Sequence, residues 1–259
     1  MLKMNIKVLG AHNCERQSQK LVSLLIDGVL AIDAGSLTSS LSLEEQRKIK
    51  AVLLTHQHYD HVRDIPALAM NLFLGGAATR IYSIPAALDV LARHLLNDEI
   101  YPDFRQKPEQ KPTLGFTVIE PHRAETIEGY TVLAVPVHHG VPTVGYQVTS
   151  ADGKSVFYTG DTGPGLTECW RQVSPQLLII EVTASDKYTD WAAGAGHLTP
   201  ALLKQELESF KKVNGYLPRV AAVHMNPALE EEIAAELAAV AKEVGCSITL
   251  ACEGMEISL

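Results

Sequence analysis

Residues 51–61 read AVLLTHQHYDH, an apolar segment followed at once by three histidines and one aspartate. The apolar part, residues 51–55, is typical of a short buried strand. Neutral imidazoles and carboxylates are good ligands for zinc and similar divalent ions. The four polar side chains are too close in sequence to reach one ion together with good geometry. His56 and His58 are predicted to bind one ion, and Asp60 and His61 a second ion ~3.5–4 Å away. A solvated polar loop is the alternative, and three histidines within six residues argue against it.

Three more candidate ligands follow other predicted strands. His139 follows a strand predicted over 130–137 and is expected to complete the ligands of the first ion. Asp161 follows a strand over 155–159 and can bridge both ions through its two oxygens. His224 follows a strand over 220–223 and can complete the second ion. Because ligand sites in α/β architectures form where strands end and loops begin, these side chains are expected to meet.

Predicted strands and helices alternate along the rest of the chain. Asp27-Gly28 is a hairpin signal between strands at 21–26 and 29–33, because both turn positions tolerate positive φ. Ser42 and Glu45 fit a capping box that begins a short helix. Further strands are predicted near 5–9, 114–119, 144–149, 177–181 and 247–257, and helices over 64–73, over 86–96, from Thr199-Pro200 onward and over 228–244.

This pattern predicts one domain over residues 1–259. Many strands in one domain indicate two sheets packed face to face, with helices on the outer faces, which gives four layers. Residues 97–112 are polar and carry three prolines. They are predicted to form a loop or part of a substrate lid.

The composition and charge of the chain disfavour some classes of binding partner. The formal net charge is −8, and no basic stripe is visible, so long nucleic acid is disfavoured as a main partner. No apolar run approaches the ~18 residues that a membrane span needs, and the polar first residues do not resemble a secretory signal. We therefore expect a cytoplasmic protein without membrane association. The four cysteines lack metal-binding spacing and are expected to be free thiols.

The H-x-H-x-D-H motif at 56–61 resembles the principal signature of the metallo-β-lactamase fold superfamily, and the order of His139, Asp161 and His224 is similar to its later motifs. The resemblance runs over nearly the whole chain. It implies an α/β fold, a four-layer αββα sandwich, with two divalent metal ions, usually zinc and sometimes manganese or iron. It also implies that Asp33, in Ile32-Asp33-Ala34-Gly35, orients metal ligands.

Two further motifs resemble the phosphodiesterase branch of that superfamily. True β-lactamases of this fold usually lack the final histidine of the cluster and use a cysteine near the third motif, so antibiotic hydrolysis is not expected. Residues 137–146, VHHGVPTVGY, resemble ribonuclease Z, as does Gly196-His197-Leu198-Thr199-Pro200, which implies that His197 is a general acid. Only 21 residues separate His139 from Asp161, which leaves no room for the long substrate-gripping arm of ribonuclease Z.

Class II cyclic-nucleotide phosphodiesterases resemble the chain more closely, through Asp33-Ala34-Gly35-Ser36-Leu37 and through residues 196–207, although Tyr59 stands where that class usually has leucine. This resemblance implies a small phosphodiester substrate such as a 3',5'-cyclic nucleotide. Metal-activated hydroxide would attack the phosphorus, oriented by Asp60, and His197 would protonate the departing alkoxide. Tyr188 and Trp191 are expected either to stack on a base or to pack a lid.

Several alternatives stay open at this point. The same metals suit a thioester or lactone hydrolase, a ribonuclease Z-like RNA phosphodiesterase, or a metal-binding protein without catalysis. The ligand set suits more than one metal. The oligomeric state is also open, with a homodimer as one option.

Overall fold

The strands of the computed structural model, which describes residues 4–259, form two seven-stranded sheets. The first sheet has the order β14-β1-β2-β3-β4-β5-β6 and the second β13-β12-β11-β10-β9-β8-β7. The strands are β1 Asn5–Gly10, β2 Ser23–Ile26, β3 Leu30–Ile32, β4 Ala51–Leu53, β5 Thr79–Ser83, β6 Leu114–Val118, β7 Ala124–Ile127, β8 Tyr130–Pro136, β9 Val144–Thr149, β10 Ser155–Tyr158, β11 Leu177–Glu181, β12 Arg219–Val223, β13 Ile248–Leu250 and β14 Glu256–Ser258.

Helices cover the outer face of each sheet. They are α1 Leu37–Ser40, α2 Leu43–Lys48, α3 Tyr59–Val62, α4 Ile65–Leu74, α5 Pro85–His94, α6 Thr167–Trp170, α7 Thr189–Ala195, α8 Pro200–Asn214 and α9 Glu230–Val244, with a 3-10 turn at Asp186–Tyr188. One hydrophobic cluster joins α4 and α5 to the first sheet. A second cluster holds side chains of both sheets together with Phe210 of α8 and Leu237 of α9. The predicted αββα sandwich is confirmed.

The directions of the strands decide where the loops gather. Strands β3 to β6 are parallel, as are β10 to β13. Strand β8 runs in the direction of β10, because β9 is antiparallel to both. Strand β1 runs in the direction of β3, because β2 is antiparallel to both. Polar residues that follow β1, β3, β4, β8, β10, β11 and β12 therefore share one edge of the sandwich.

Most predicted elements are confirmed with ends shifted by a few residues. Asp27 and Gly28 join β2 to β3 with φ of 48° and 72°, and Ser42 and Glu45 make the predicted capping box of α2. The prediction of a strand over 51–55 runs two residues too far, since β4 ends at Leu53. The reason is that the N–H and hydroxyl of Thr55 both donate to the carboxylate of Asp33.

One region decides between two sequence-based expectations, and another contains a strand that the sequence did not predict. Residues 97–112 form a loop without helix or strand. The loop's Arg105 and Pro112 line a groove with Lys50, at the beginning of β4, whereas the histidine cluster follows the end of β4. The segment is thus not a lid over the cluster. Strand β7 was not predicted, because Glu128 occupies a turn position with φ of 49° that glutamate seldom adopts.

No helix within residues 4–259 has the length and apolar character that crossing a membrane requires.

Candidate metal centre

Seven histidine and aspartate side chains from four loops meet at the shared edge of the two sheets. They fall into two groups that have Asp161 in common, and within each group the candidate ligand atoms lie within 4.8 Å of one another. The first group is His56, His58, His139 and Asp161, and the second is Asp60, His61, Asp161 and His224. The structure therefore brings together every side chain that the sequence suggests as a metal ligand, in the predicted pairs.

In the first group, nitrogen atoms surround one oxygen of Asp161. The Nε2 atoms of His56 and His139 each lie 3.8 Å from Asp161 Oδ2. His58 presents Nδ1, which is 3.1 Å from His139 Nε2. Three ring nitrogens and one carboxylate oxygen thus converge on one small volume, a donor set that suits zinc and similar divalent ions.

In the second group, the other oxygen of Asp161 is the centre. Asp161 Oδ1 lies 3.1 Å from His61 Nε2 and 3.3 Å from His224 Nε2. Asp60 Oδ2 lies 3.6 Å from His61 Nε2 and 3.3 Å from His224 Nε2. Asp161 points one oxygen at each group, which is the geometry that a carboxylate bridging two cations needs.

Hydrogen bonds on the far side of three rings decide which nitrogen carries the proton. His61 Nδ1 donates to Asp33 Oδ2 at 2.7 Å, and His139 Nδ1 donates to the carbonyl of Gly196 at 2.9 Å. His224 Nδ1 lies 2.8 Å from the Thr183 hydroxyl, whose own proton goes to Glu181 Oε2 at 2.7 Å. Because oxygen acceptors hold the proton on Nδ1, each neutral ring turns the lone pair of Nε2 towards the site.

Buried atoms without partners test whether a cation fits here. His56 Nε2, His61 Nε2 and Asp161 Oδ1 are shielded from solvent and have no hydrogen-bond partner within residues 4–259. Lone pairs of imidazoles and a carboxylate that face one another at these distances repel, and buried polar atoms of native proteins are nearly always satisfied. A divalent cation held by each group would satisfy all of these atoms at once. The donor set therefore fits two such ions.

Burial and neighbouring charges oppose each other in the pKa values of the cluster. Burial lowers the pKa of His56 well below its usual value, and the charge of His61 adds to that effect. Burial also disfavours a charged His61, but the carboxylates of Asp161 and Asp33 outweigh it and raise the pKa of His61. Burial favours protonation of Asp161, yet the rings of His224 and His61 hold its pKa well below the usual value. Asp161 is thus an anion that is available to bind cations.

Two of the candidate residues have backbone conformations that are rare for residues other than glycine. Asp33 has φ of 57° and His224 φ of 65°. Such left-handed residues are costly and concentrate at functional sites. Asp33, buried at the end of β3, binds His61 and Thr55 together, as expected of a residue that orients ligands. Tertiary packing thus holds both residues in place against their local preference.

Gly35 allows the histidine cluster to pack against the turn that follows β3. A Cβ added at Gly35 would collide with the carbonyl oxygens of Asp60 and Val22, at 2.6 Å from the second. Gly35→Ala is expected to push Asp60 away from its group and to lower the free energy of unfolding by about 1–3 kcal/mol. Metal content per chain and thermal unfolding measure the two effects.

A matched control is Gly115→Ala in β6, where an added Cβ makes only ordinary contacts with Arg80, the nearest at 3.6 Å. It is expected to keep the metal content of the natural protein. If Gly35→Ala behaved like Gly115→Ala in both measurements, Gly35 would have no part in positioning the cluster.

His197 lies beside the two groups without belonging to either pair of predicted ligands. It precedes α8, which Thr199 and Pro200 begin as predicted. Its ring is 5.0 Å from that of His139 and 5.5 Å from that of His224, measured between centroids. Burial opposes its protonation, but a 2.7 Å hydrogen bond to Glu181 Oε1 and the charge of that carboxylate raise its pKa. The contact with Glu181 thus favours the protonated form of His197, which is the form that a general acid needs.

Glu181 is the residue that sequence reasoning missed. It was included only as the last residue of a predicted strand, and the structure shows it fully buried between the two sheets' loops. Besides His197, it accepts hydrogen bonds from Thr162 N, Leu198 N and Thr183 Oγ1. The available signal was an acid at the end of the apolar run Leu-Leu-Ile-Ile, since a buried carboxylate needs partners.

Glu181, His197 and His224 also lie close enough together to hold a metal. Hydrogen bonds nevertheless give these three side chains another role than binding a metal together. His224 Nδ1 is hydrogen-bonded to Thr183, and His197 Nδ1 is hydrogen-bonded to Glu181. These bonds form a network that fixes the two rings.

Tyr188 and Trp191, the two aromatic residues expected near the substrate, lie at the rim of the candidate metal centre. Trp191 of α7 is 57% exposed and Tyr188 is 43% exposed. The indole of Trp191 stacks on the imidazole of His197 with 6.1 Å between centroids and 20° between planes. The structure thus places Trp191 next to the candidate acid, and neither ring is packed into a core.

Comparisons with known proteins bear on the same features. Residues 23–225 match the model of the β-lactamase superfamily domain. The chain is 28% identical over 109 residues to the 3',5'-cyclic-nucleotide phosphodiesterase 1 of Saccharomyces cerevisiae, covering 40% of this chain and 28% of that protein. It is 32% identical over 114 residues to the ribonuclease Z of Pyrococcus abyssi, covering 42% of this chain and 34% of that protein. The matches thus span about a third of those relatives.

Among solved structures, unliganded yeast PDE1 has the same fold, with a TM-score of 0.84 at 20% identity over the whole of both chains. The family match covers most of this chain, including the histidine cluster and the later candidate ligands. The chain belongs to the β-lactamase superfamily, with the metallo-β-lactamase fold and with relatives among phosphodiesterases and ribonuclease Z enzymes.

Proposed function

We propose that this protein is a metal-dependent phosphodiesterase that acts on small phosphodiesters such as 3',5'-cyclic nucleotides. We propose further that His56, His58, His139 and Asp161 hold one divalent ion, and that Asp60, His61, Asp161 and His224 hold a second. The unpartnered lone pairs that converge in both groups support this assignment. Zinc is our first choice for the metal, with manganese and iron as alternatives, because nitrogen-rich sites accept all three.

Ions in these two groups would lower the pKa of a bound water and offset negative charge on the phosphate oxygens. The residues of the chain have separate tasks around that chemistry. Asp60 is the more exposed carboxylate of the pair, with 26% of its side chain accessible against 3% for Asp161. Asp60 can therefore accept a hydrogen bond from the attacking water and orient it, while the buried Asp161 holds the two groups together.

The observation that carries the phosphodiester assignment is the His197–Glu181 pair. Hydrolysis of an alkyl phosphodiester expels an alkoxide, which leaves readily only if an acid protonates it. His197 Nδ1 is bonded to Glu181, so Nε2 is the atom that can deliver a proton. A thiolate leaving group needs no such acid. The pair therefore favours an oxygen leaving group over a thioester, and the resemblance to yeast phosphodiesterase 1 agrees with it.

A substrate panel on the metal-loaded protein tests the proposal. Bis-p-nitrophenyl phosphate and 3',5'-cyclic AMP are expected to be hydrolysed, and a thioester is not. Chelation is expected to abolish the activity, because water is not ionised near neutral pH unless a metal lowers its pKa. Adding back zinc, manganese or iron singly identifies the ion that restores the rate.

Each competing function has its own outcome in this panel. Turnover of the thioester alone would identify a carbonyl hydrolase. Preference for an RNA over both small phosphodiesters would identify a ribonuclease Z-like enzyme, although only β9 and β10 lie between His139 and Asp161 and no arm extends there. Bound metal without any turnover would identify a metal-binding protein.

A further inference from the structure

We propose that a pocket beside His197 binds the base of a nucleotide substrate. This inference rests on the proposed phosphodiesterase function and gives it a substrate class. The pocket has a volume of 380 Å³, and the side chains that matter in it are Asn13, Thr183, Tyr188, Trp191, Asn226 and Leu229. A cavity of this volume has room for a purine.

The pocket adjoins the candidate catalytic groups directly. Thr183, which lines it, is hydrogen-bonded to His224 Nδ1 at 2.8 Å and lies 3.2 Å from His197 Nδ1. Trp191, which also lines the pocket, stacks on His197. A nucleotide whose phosphate reaches the two ligand groups can therefore place its base in this pocket at the rim of the site.

The chemistry of the walls suits a neutral aromatic heterocycle. The pocket's lining contains aromatic, aliphatic, hydroxyl and amide groups and no charged side chain. Trp191 and Tyr188 are among the large apolar residues that remain exposed on the surface. Aromatic side chains of this kind are stacking platforms for bases, because every base offers a π-face.

Two amide side chains can recognise the edge of a base. Asn226 accepts a hydrogen bond at Oδ1 from the N–H of Ala228, which fixes the amide and leaves Nδ2 to donate. Asn13 Oδ1 is shielded from solvent and has no hydrogen-bond partner within residues 4–259. Unpartnered buried amide oxygens are rare in native proteins, and a rotation of the Asn13 amide towards the pocket that it lines would give this oxygen a ligand donor as its partner. Together the two amides match the mixed donor and acceptor edge of a base.

The floor of the pocket is held by backbone hydrogen bonds between three loops. Asn13 N donates to Met225 O at 3.3 Å, Met225 N to Ala11 O at 3.2 Å, and Asn226 N to Thr183 O at 3.1 Å. The buried His12 secures this arrangement, because its Nδ1 and Nε2 contact Glu253 and Glu230 at 2.8 Å and 3.3 Å. The backbone that carries the two amides is thus positioned before a ligand arrives, which lowers the entropic cost of binding.

An equilibrium titration tests base binding without relying on turnover. The chain has two tryptophans, of which Trp170 is buried and Trp191 is exposed. We expect 5'-AMP to quench the fluorescence of Trp191 in the metal-loaded protein, while ribose 5-phosphate, which lacks only the base, leaves it unchanged. Trp191→Phe, which removes the reporter, is expected to lose the signal. Equal responses to 5'-AMP and ribose 5-phosphate would overturn the proposal.

Asn13→Ala tests the recognition of the base edge. The side-chain oxygen of Asn13 has no protein partner, so its loss is expected to leave folding intact. Measured by isothermal titration calorimetry, the Kd for 5'-AMP is expected to rise about fivefold, as for the loss of one hydrogen bond, with the Kd for ribose 5-phosphate as the internal reference. An unchanged ratio of the two Kd values would remove Asn13 from the pocket's function.

A kinetic test separates stacking on the base from support of His197. Trp191→Ala is compared with the natural protein on 3',5'-cyclic AMP and on its abasic analogue, ribose 3',5'-cyclic phosphate. The preference for cyclic AMP, as the ratio of kcat/KM values, is expected to fall about tenfold through a higher KM. Equal losses on both substrates would mean that Trp191 acts only on His197, and would overturn the base pocket.

The control variant is Tyr216→Ala, because Tyr216 is also a partly exposed aromatic residue but precedes β12, at the opposite edge of the sheet. It is expected to keep the substrate preference. The two proposals fail separately. If neither bis-p-nitrophenyl phosphate nor either cyclic substrate is hydrolysed, the phosphodiesterase proposal fails, while the fluorescence titration still decides whether a base binds.

Discussion

Replacing Asp161 with alanine is expected to abolish both metal binding and turnover. Asp161 is the one side chain common to both groups, with an oxygen facing each of them. Its loss removes the negative charge that would hold the two proposed cations ~3.5–4 Å apart against their mutual repulsion. It also leaves the Nε2 atoms of His61 and His224 without a carboxylate between them. Metal content per chain by elemental analysis and the rate on bis-p-nitrophenyl phosphate measure the two losses.

Two further variants serve as controls for this prediction. Asp161→Asn keeps the shape of the side chain and removes its charge, so it is expected to fold and still to lose the metals. Asp89→Ala changes an exposed aspartate that pairs with Arg93 on the surface of α5, and is expected to change neither quantity. An Asp161→Ala protein that kept two metals and full phosphodiesterase activity would contradict the ligand assignment.

The sequence predicts the candidate metal ligands well, because they are either contiguous or directly follow an apolar run. His56 to His61 are contiguous, and each later candidate ligand follows an apolar run that ends at the same edge of a sheet. Neighbouring parallel strands end at the same edge of a sheet, so residues that follow them meet even when 162 residues separate His61 from His224. The αββα fold follows from the same alternation of strands and helices.

The features that it does not predict depend on contacts between distant segments. Glu181 becomes a hydrogen-bond centre only because the loops at Thr162 and Leu198 fold over it. Asp33 and His224 adopt positive φ because packing overrides their local preference. Helix α7 was not predicted either, because its seven residues include Gly194 and carry no apolar periodicity. The pocket under Trp191 therefore had no counterpart in the sequence pattern beyond two aromatic residues.

His197→Ala is expected to lower kcat on 3',5'-cyclic AMP by about 10²–10⁴-fold, the usual contribution of a general acid. The loss is expected to be much smaller on bis-p-nitrophenyl phosphate, because p-nitrophenolate is stable enough to leave without a proton. Metal content should stay at the natural level, since Nε2 of His139 and of His224 reach Asp161 without help from His197.

Glu181→Gln tests the same acid through the carboxylate that is hydrogen-bonded to His197. The carboxylate raises the pKa of His197 and holds Nδ1, so its neutral replacement is expected to impair cyclic AMP turnover in the same selective way, and less severely than His197→Ala. The ratio of the two substrates' kcat values is the decisive measurement, because a general loss of folding or of metal lowers both together. If His197→Ala slowed both substrates equally with the metals in place, His197 would be a binding residue, and the leaving oxygen would take its proton from elsewhere.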